Sequence, residues 1–230
     1  MYNIENTFQT NIVNPTWSKK ELLAPGIAVY RNVLKKDIDI INRIESALTR
    51  FSYGWQEALV GYQQKMPDYR DCWDFKYKKT DLKDDSSEAS IELQNLWQDI
   101  YDVKLPAVKD YSHHFRVSEL KYWESFNFIK YKEGQHFQEH HDHGFSYNCV
   151  VSLVGYLNDD YKGGELYFRL QDLKIKPEAG DLYIFPSNYM YPHRAMPVTK
   201  GTKYSIVTML DYSARFHGPE TFKDSGNWCL

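Results

Sequence analysis

The feature that most constrains the fold of this chain is a succession of short β-like runs in its second half. From residue 119 onward, short apolar or alternating stretches recur, and turn signals such as Gly163-Gly164 and Lys200-Gly201 separate them. Many short strands at near-regular spacing are typical of a sandwich or a jelly roll. The predicted strands are residues 126–131, 148–157, 165–170, 173–175, 181–185, 191–196 and 203–210.

The first half of the chain shows different patterns. Residues 26–33 are β-like, and residues 35–50 place apolar side chains on one helical face, which predicts an amphipathic helix. Residues 51–80 combine tyrosine, tryptophan, glycine and charged residues without a clean period, so we predict a long loop that can include short strands. Because long loops in compact domains often cover a binding site, the part from 53 to 79 is predicted to be a substrate lid.

A second helical pattern follows Ser86 and Ser87 and carries apolar residues through Ile100. One of the two serines is the predicted N-cap, since acidic residues follow in the first turn. Pro106 is expected to break or restart this helix, because proline lacks the backbone hydrogen-bond donor that a helix interior requires. The helix is then expected to resume to about His114.

These patterns together predict one domain, residues 1–230, of the α+β, mainly β class. Its core is a double-stranded β-helix (a cupin-like jelly roll) at 119–211. Supporting helices and the lid segment precede it at 1–118, and a C-terminal tail follows at 212–230. A chain of 230 residues is long enough for one well-packed domain and short for two.

Charge and cysteine content exclude several classes of protein. The formal net charge of -3 argues against general nucleic-acid binding, which needs a basic footprint. Cys72, Cys149 and Cys229 are odd in number and widely spaced, so they fit a reducing compartment rather than a disulfide framework or a zinc site. The N-terminus lacks a signal-peptide pattern, and the longest apolar run, 149–157, is far below membrane-spanning length. We therefore expect a cytoplasmic protein without a membrane partner.

A candidate metal site lies around His140 and Asp142. If both residues lie on one strand, they point to the same face, so an imidazole and a carboxylate can reach one ion. His193 is the candidate third ligand. Two histidines and one carboxylate leave octahedral positions open, which is the arrangement of non-haem Fe(II) oxygenases. Taken singly, the H-x-D pair is a weak signal and His193 is more typical of a satisfied, partly buried histidine, so the prediction depends on the surrounding pattern.

That surrounding pattern is extensive. A strand ending in tyrosine leads to a glycine, an aromatic residue and H-x-D. The motifs that follow, in chain order, are Tyr-Leu-Asn, Gly-Gly-Glu, a Pro-x-x-Gly-Asp turn, and a distal histidine followed by Pro-Val and Gly-x-Lys. In this order and spacing, residues 126–210 resemble the prolyl 4-hydroxylase-like branch of the Fe(II)/2-oxoglutarate-dependent dioxygenases. The residues that carry the resemblance are Tyr131, Gly134, Phe137, His140, Asp142, Tyr156, Leu157, Asn158, Gly163, Gly164, Glu165, Tyr167, Phe168, Pro177, Gly180, Asp181, His193, Pro197, Val198, Gly201 and Lys203.

The resemblance implies an iron site and a co-substrate site. His140, Asp142 and His193 match the ligands of Fe(II), for which Mn(II) is an inert stand-in. Lys203 matches the basic residue that pairs with the distal carboxylate of 2-oxoglutarate, and it is counted with the three ligands among the catalytic residues. Many relatives have arginine at this position. Lysine implies that a single ammonium group binds the carboxylate, rather than a planar guanidinium with two parallel N–H donors. O₂ is the other co-substrate, and ascorbate is expected to help.

The resemblance also implies the walls of the co-substrate pocket. Tyr131 and Tyr156 match tyrosines that hydrogen-bond 2-oxoglutarate, although Tyr156 fits a barrel-wall aromatic residue equally well. Leu166 and Val207 match apolar pocket walls. An inward Lys203 would place Val207 in the pocket as well, because alternate residues of a strand share a face.

The implied activity is hydroxylation of an unactivated C–H bond, with a prolyl residue of a peptide or protein as the expected substrate. A free amino acid or small metabolite is a rival substrate, and a catalytically silent β-barrel binding module is the alternative from another class. Nucleic-acid demethylases carry two arginines six residues apart after the distal histidine, whereas Lys203 is followed at that spacing by Met209. Asp142 argues against a halogenase, which has a small residue at that position.

Overall fold

The structure is a computed structural model that describes residues 15–49, 54–60, 64–82, 86–144 and 148–217. In these residues the helices are α1 (Ile40–Leu48) and α2 (Glu88–Phe115), with 3-10 helices at Lys36–Ile38, Lys79–Leu82 and Ala214–Phe216. The strands are β1 (Lys19–Ala24), β2 (Ile27–Arg31), β3 (Gln56–Glu57), β4 (Arg70–Asp71), β5 (Trp73–Tyr77), β6 (Tyr122–Trp123), β7 (Phe126–Tyr131), β8 (His136–His140), β9 (Val151–Tyr156), β10 (Lys162–Gly163), β11 (Leu166–Phe168), β12 (Leu173–Ile175), β13 (Leu182–Pro186), β14 (His193–Ala195), β15 (Val198–Lys200) and β16 (Lys203–Asp211).

The strands form two main antiparallel sheets, whose inner faces share an apolar core. The larger sheet has the order β1-β2-β13-β9-β16-β7-β5-β3, with β6 paired to β16. The smaller sheet has the order β12-β11-β14-β8-β4, and β10 pairs separately with β15. The strands from β7 to β16 that enter these two sheets pass back and forth between them along the chain. This winding is that of a double-stranded β-helix, so the predicted fold class is confirmed.

β16 shows how one strand serves both layers of the domain. Its alternate residues face opposite sides. Ile206 packs with the helices outside the larger sheet, whereas Lys203 and Val207 line a cavity between the sheets. The strand register places Lys203 opposite Tyr131 of β7 and Ser205 opposite Tyr156 of β9. Three side chains predicted for the co-substrate pocket are therefore brought together by backbone pairing.

The two α-helices pack against the outer face of the larger sheet. The N-cap of α2 is Ser87, one of the two predicted N-cap residues, whose side chain accepts a hydrogen bond from Ser90 N at 3.2 Å. Its buried residues Leu93, Leu96 and Ile100 join α1 and the sheet in one apolar cluster. Burial of each such side chain contributes roughly 1.5–3 kcal/mol, so this layer stabilises the sheet that carries the cavity.

α2 continues through Pro106, so the predicted break or restart is wrong. A proline in a helix interior removes the hydrogen bond to the carbonyl four residues earlier, here Asp102, and costs about 3 kcal/mol or more. Buried residues lie on both sides of the proline, including Ile100 before it and Ala107 and Val108 after it. The packing of both halves against the sheet therefore outweighs the local cost.

α1 is shorter than the predicted helix at 35–50. The chain first forms the 3-10 helix Lys36–Ile38, and Asp39, with a left-handed φ of 53°, separates it from α1. Arg50 lies outside the described residues. The predicted apolar face is correct, since the buried residues of α1 are Ile40, Ile44, Ala47 and Leu48.

The segment predicted as a long loop and lid contains β3, β4 and β5 in its described part. β5 pairs with β7 in the larger sheet over its whole length. A strand built into the main sheet cannot swing over the cavity as a lid, so that prediction is wrong for residues 73–77. Tyr53 and residues 61–63 lie outside the described residues.

The predicted strands 126–131 and 173–175 have the bounds of β7 and β12, and the other predicted strands are present with shifted ends. β9 begins at Val151 rather than at 148, and β14 covers only three residues of the predicted 191–196. β1 lies outside every predicted strand, because its sequence KKELLA mixes charged and apolar residues without alternation. No helix in the described part of the chain is long and apolar enough to cross a membrane.

Candidate active site

A cavity of about 490 Å³ opens between the two sheets. Its walls come from β5, β7, β9 and β16 of the larger sheet and from β4, β8, β11 and β14 of the smaller one. The structure places all eight residues singled out in the sequence on this cavity, although the roles of the individual residues stay predictions. They are Tyr131, His140, Asp142, Tyr156, Leu166, His193, Lys203 and Val207.

The potential metal ligands form a close cluster. The ligand atoms of His140, Asp142 and His193 all lie within 4.8 Å of one another. His140 Nε2 is 3.5 Å from Asp142 Oδ1, and His193 Nε2 is 3.8 Å from Asp142 Oδ2. The two histidines come from β8 and β14, which place them opposite each other in the sheet register. Two imidazole nitrogens and a carboxylate therefore converge on one point.

Asp142 reaches this cluster from a loop, because β8 ends at His140. The prediction that His140 and Asp142 share a strand face is therefore wrong, although both side chains point into the cavity. Two buried serines hold the loop residue. Ser152 Oγ donates to Asp142 Oδ2 at 2.5 Å and lies 2.7 Å from Ser187 Oγ, while Asp142 N donates to the Ser187 carbonyl at 3.1 Å. These bonds fix the carboxylate without using Oδ1.

The two imidazoles are oriented through their other nitrogens. His140 Nδ1 lies 2.8 Å from the Gln138 carbonyl, and His193 Nδ1 lies 3.1 Å from the Tyr191 carbonyl. Because a carbonyl only accepts, Nδ1 carries the proton in each contact and the lone pair of Nε2 faces the cluster. Burial, and then the neighbouring His193, lower the pKa of His140, which favours the neutral form that binds metals.

Lys203 is a buried cation that has no ion-pair partner among the described residues. Its side chain is 1% exposed, and its Nζ donates one hydrogen bond, to the Gly164 carbonyl at 3.1 Å. The ammonium group also lies 4.4 Å from the Tyr131 ring centre and 5.8 Å from that of Tyr156. Within the described residues it has no ion pair, and burial lowers the pKa of Lys203 to about 7. An anion in the cavity would restore the charged form.

The Gly-Gly motif explains how the lysine fits. Gly164 has a φ of 64°, a conformation that favours glycine. A Cβ at this position would lie 3.2 Å from Lys203 Cδ and 3.0 Å from Tyr161 Cε2. The missing side chain therefore lets the lysine stem pass beside the turn and bond to its carbonyl.

The cluster and the lysine lie at different levels of the same cavity. Ser152 of β9 contacts Asp142, whereas Tyr156 of the same strand faces Lys203. Four residues of strand separate them, or about 13 Å at ~3.3 Å per residue. The cavity thus has a metal end, formed by His140, Asp142 and His193, and a lysine end, formed by Lys203.

Several residues of the site carry only weak signals in the sequence. Ser152 and Asn127 are polar positions inside otherwise apolar strands, which is a usable signal once the strand is known. Ser187 belongs to an ordinary turn signal. Arg70 lies in the two-residue strand β4 and lines the cavity, yet nothing in its local sequence indicates this.

A family comparison identifies the same part of the chain. Residues 126–210 match the model of the 2OG-Fe(II) oxygenase superfamily. An Acanthamoeba polyphaga mimivirus protein with a provisional prolyl 4-hydroxylase name is 31% identical over 101 residues, which cover 35% of this chain and 42% of that protein. The chain spans less than half the length of the curated relatives it matches.

Solved prolyl hydroxylases share the fold. A prolyl hydroxylase from Trichoplax adhaerens, in complex with a hypoxia inducible factor oxygen degradation domain peptide fragment, aligns over 80% of this chain and 83% of its own, with TM-score 0.64 and 14% identity. A Pseudomonas putida prolyl-4-hydroxylase aligns over 80% and 92%, with TM-score 0.58 and 20% identity. Residues 126–210, which carry the candidate site, therefore match the 2OG-Fe(II) oxygenase superfamily and resemble its prolyl 4-hydroxylase-like branch.

Proposed function

We propose that this protein is an Fe(II)- and 2-oxoglutarate-dependent dioxygenase that hydroxylates a prolyl residue in a peptide or protein. The reaction consumes O₂ and 2-oxoglutarate, places one oxygen atom on the substrate carbon and releases succinate and CO₂. The observation that carries the proposal is the pairing, in one cavity, of a His-Asp-His cluster with a buried lysine that lacks an ion pair among the described residues.

The residues at the metal end fit Fe(II). A set of two imidazoles and one carboxylate, with further positions open, is the ligand choice of non-haem Fe(II) oxygenases. His140, Asp142 and His193 would hold the metal, which when bound supplies the activation of O₂ that protein side chains cannot. The hydrogen bonds to their outer atoms keep the three ligands in place, which is the usual second layer of a metal site.

The lysine end fits the distal carboxylate of 2-oxoglutarate. A carboxylate buried between two sheets needs a charged, hydrogen-bonded partner, or its desolvation would prevent binding. Lys203 supplies that partner, and the rings of Tyr131 and Tyr156 surround its ammonium group. Leu166 and Val207 supply apolar wall to the same cavity.

A prolyl peptide is supported as substrate by similarity and by the shape of the site. The relatives named above carry prolyl hydroxylase names, and one of them was solved with a peptide bound. The cavity extends past the metal end to Leu59, Val60 and Tyr69, outside the region that would hold 2-oxoglutarate. Aromatic and apolar walls of this kind suit the extended backbone of proline-containing peptides.

The test is a two-stage assay with iron, ascorbate and 2-oxoglutarate, since we expect ascorbate to keep the metal reduced. The first stage measures slow succinate formation without substrate, which should require iron. The second stage screens proline-containing peptides and free amino acids for a mass gain of one oxygen. Absence of iron-dependent succinate would refute the dioxygenase, whereas oxidation of free amino acids alone would refute only the prolyl peptide substrate.

A further inference from the structure

Two buried polar groups on the same cavity lack partners in the part of the chain that the structure describes. Arg70 Nε and Asn127 Oδ1 are hidden from solvent and make no hydrogen bond. The two residues are 8% and 9% exposed, and both line the cavity that contains the candidate metal cluster. Buried polar groups are almost always hydrogen-bonded, so an unpartnered donor and an unpartnered acceptor in one cavity indicate a ligand that supplies both bonds.

The Phe137 ring lies between Arg70 and the candidate metal ligand His140. β4 places it opposite Phe137 of β8 in the smaller sheet. Its guanidinium carbon is 4.9 Å from the Phe137 ring centre, and the same ring stacks on His140 at 3.6 Å. A group bound at Arg70 would therefore lie close to the metal end of the cavity.

The positive charge of Arg70 is already balanced. Its Nη2 donates to Asp74 Oδ2 at 3.0 Å, and its Nη1 donates to the Leu59 carbonyl at 2.9 Å. Cys72 lies beside the guanidinium, but a thiol is a weak acceptor. What Arg70 offers to the cavity is therefore one N–H donor in a locally neutral setting rather than a free charge.

Asn127 offers the opposite kind of group. It lies in β7, where it pairs with Val207 of β16 on one side and with Lys76 of β5 on the other. Its unpartnered atom is an amide oxygen, which accepts a hydrogen bond and repels a carboxylate. Lys76 also lines the cavity, and although the residue as a whole is exposed, desolvation of its ammonium group and then the nearby Arg70 lower its pKa.

We propose that Arg70 and Asn127 bind the backbone amide groups of the substrate beside the residue that is hydroxylated. Arg70 Nε–H donates to a substrate carbonyl, and a substrate N–H donates to Asn127 Oδ1. This inference rests on the proposed function and specifies its substrate. A peptide backbone supplies both an acceptor and a donor, whereas a carboxylate supplies only acceptors and an ammonium group only donors. The subsite therefore selects a peptide over a free amino acid.

The first experiment compares ligands on the wild-type protein loaded with Mn(II) and 2-oxoglutarate. The probes are N-acetyl-L-proline N-methylamide, N-acetyl-L-proline and free L-proline, and the readout is the relaxation of their proton NMR signals by the bound Mn(II). The doubly capped amide should bind at least about tenfold more tightly than free proline, the effect of roughly one hydrogen bond to a buried partner. Equal or tighter binding of free proline, or no binding of the capped amide, overturns the proposal.

Failure of the proposed function gives a separate signal in this experiment. If Mn(II) or 2-oxoglutarate does not bind, the solvent-water and 2-oxoglutarate relaxation stay unchanged, and the dioxygenase itself is refuted. If both bind but the capped amide does not, only the amide subsite is refuted.

The second experiment changes the two residues. Arg70→Gln and Asn127→Leu should each raise the Kd of the capped amide by about tenfold, while the Kd of free proline changes much less. Arg70→Lys, which keeps the charge beside Asp74 but removes the Nε–H, should behave like Arg70→Gln. Matched controls are Arg169→Gln and Asn95→Leu, both at exposed positions. Equal weakening of both ligands would show a structural role for the two residues and overturn the proposal.

Discussion

The metal end and the lysine end of the cavity are organised in opposite ways. At the metal end each ligand already has a hydrogen-bond partner that leaves a metal-binding atom free, as Ser152 does for Asp142. At the lysine end Lys203 is 1% exposed and, within the part of the chain that the structure describes, has a single hydrogen bond, to a backbone carbonyl. The first end is ordered before any ligand arrives, whereas the second carries an electrostatic cost that a bound anion removes.

A second buried lysine shows what distinguishes the lysine end. Lys104 of α2 is 0% exposed, and burial lowers its pKa to about 7, as for Lys203. Its Nζ lies 4.7 Å from the Phe126 ring centre and 3.5 Å from Thr208 Oγ1. Lys104 does not line the cavity, however. Access to the cavity, rather than burial, therefore makes Lys203 a candidate anion anchor and Lys104 a matched control.

The largest effect should follow from breaking the metal end. Asp142→Ala removes the only carboxylate of the cluster, so we expect metal binding to be lost and turnover to fall by more than about 1000-fold, since outer-layer changes alone cost 10–100-fold. His140→Ala should behave in the same way. Mn(II) titration followed by electron paramagnetic resonance and succinate formation measure the two effects. Asp37→Ala, an exposed aspartate, is the control, and unchanged metal affinity in Asp142→Ala would remove it from the site.

The next largest effect should follow from breaking the lysine end. Lys203→Ala leaves a partly buried carboxylate without its partner, and loss of one side of a buried ion pair costs about 3–5 kcal/mol. Solvent at the cavity mouth should reduce this cost. Because ~1.4 kcal/mol corresponds to a tenfold change, the apparent Kd of 2-oxoglutarate should rise by roughly 100-fold or more. Mn(II) affinity should barely change. Paired metal and 2-oxoglutarate titrations separate the two ends.

Lys104→Met is the control for that prediction, because it removes an equally buried lysine from outside the cavity. Lys203→Arg should be milder than Lys203→Ala but not neutral, since the longer planar head must fit beside Tyr131. If Lys203→Ala and Lys104→Met had the same apparent Kd for 2-oxoglutarate, the group that binds its distal carboxylate would lie elsewhere in the cavity.

The two ends also differ in how far the sequence predicts them. His193 and Lys203 follow from a motif with fixed order, and the strand register then brings Lys203 to Tyr131. The loop position of Asp142 does not follow, because the end of β8 depends on contacts with Ser152 and Ser187 that are distant in sequence. Local sequence patterns indicate the alternation of apolar and polar residues in strands and the capping residues of helices. They do not indicate which distant residue completes a hydrogen bond.

The same limit explains the errors in the fold. The strand patterns beyond residue 126 are local and strong, and they predict most strands of the two sheets, although not β8. The continuity of α2 through Pro106 and the place of β5 in the larger sheet depend on tertiary packing and pairing. Arg70 has no recognisable local pattern, because its place on the cavity comes from the pairing of β4 with β8.

A smaller effect should come from loosening the metal end without removing a ligand. Ser152→Ala deletes the donor that holds Asp142 Oδ2 at 2.5 Å, so metal affinity should fall by about 10–100-fold. The affinity for 2-oxoglutarate at saturating metal should change less. Ser205→Ala, a buried serine that lines the cavity but lacks a contact with Asp142, is the control for Mn(II) titration. Identical metal affinity in the two variants would show that Asp142 does not need this bond.

The smallest and most specific effect concerns the pH dependence of the lysine end. In the free protein the pKa of Lys203 is about 7, and a bound anion raises it because it favours the charged form. The contribution of Lys203 to binding is therefore fully present below about pH 7 and is lost as the pH rises toward the pKa of the bound state. The Kd of 2-oxoglutarate should rise with a slope that approaches about tenfold per pH unit above pH ~8. In Lys203→Arg the same plot should be nearly flat from pH 6.5 to 9, since arginine stays protonated. Calorimetric titrations at saturating Mn(II) measure both curves. Parallel curves for the wild type and Lys203→Arg would mean that Lys203 is already charged in the free protein, and the contrast between an ordered metal end and a costly lysine end would then be wrong.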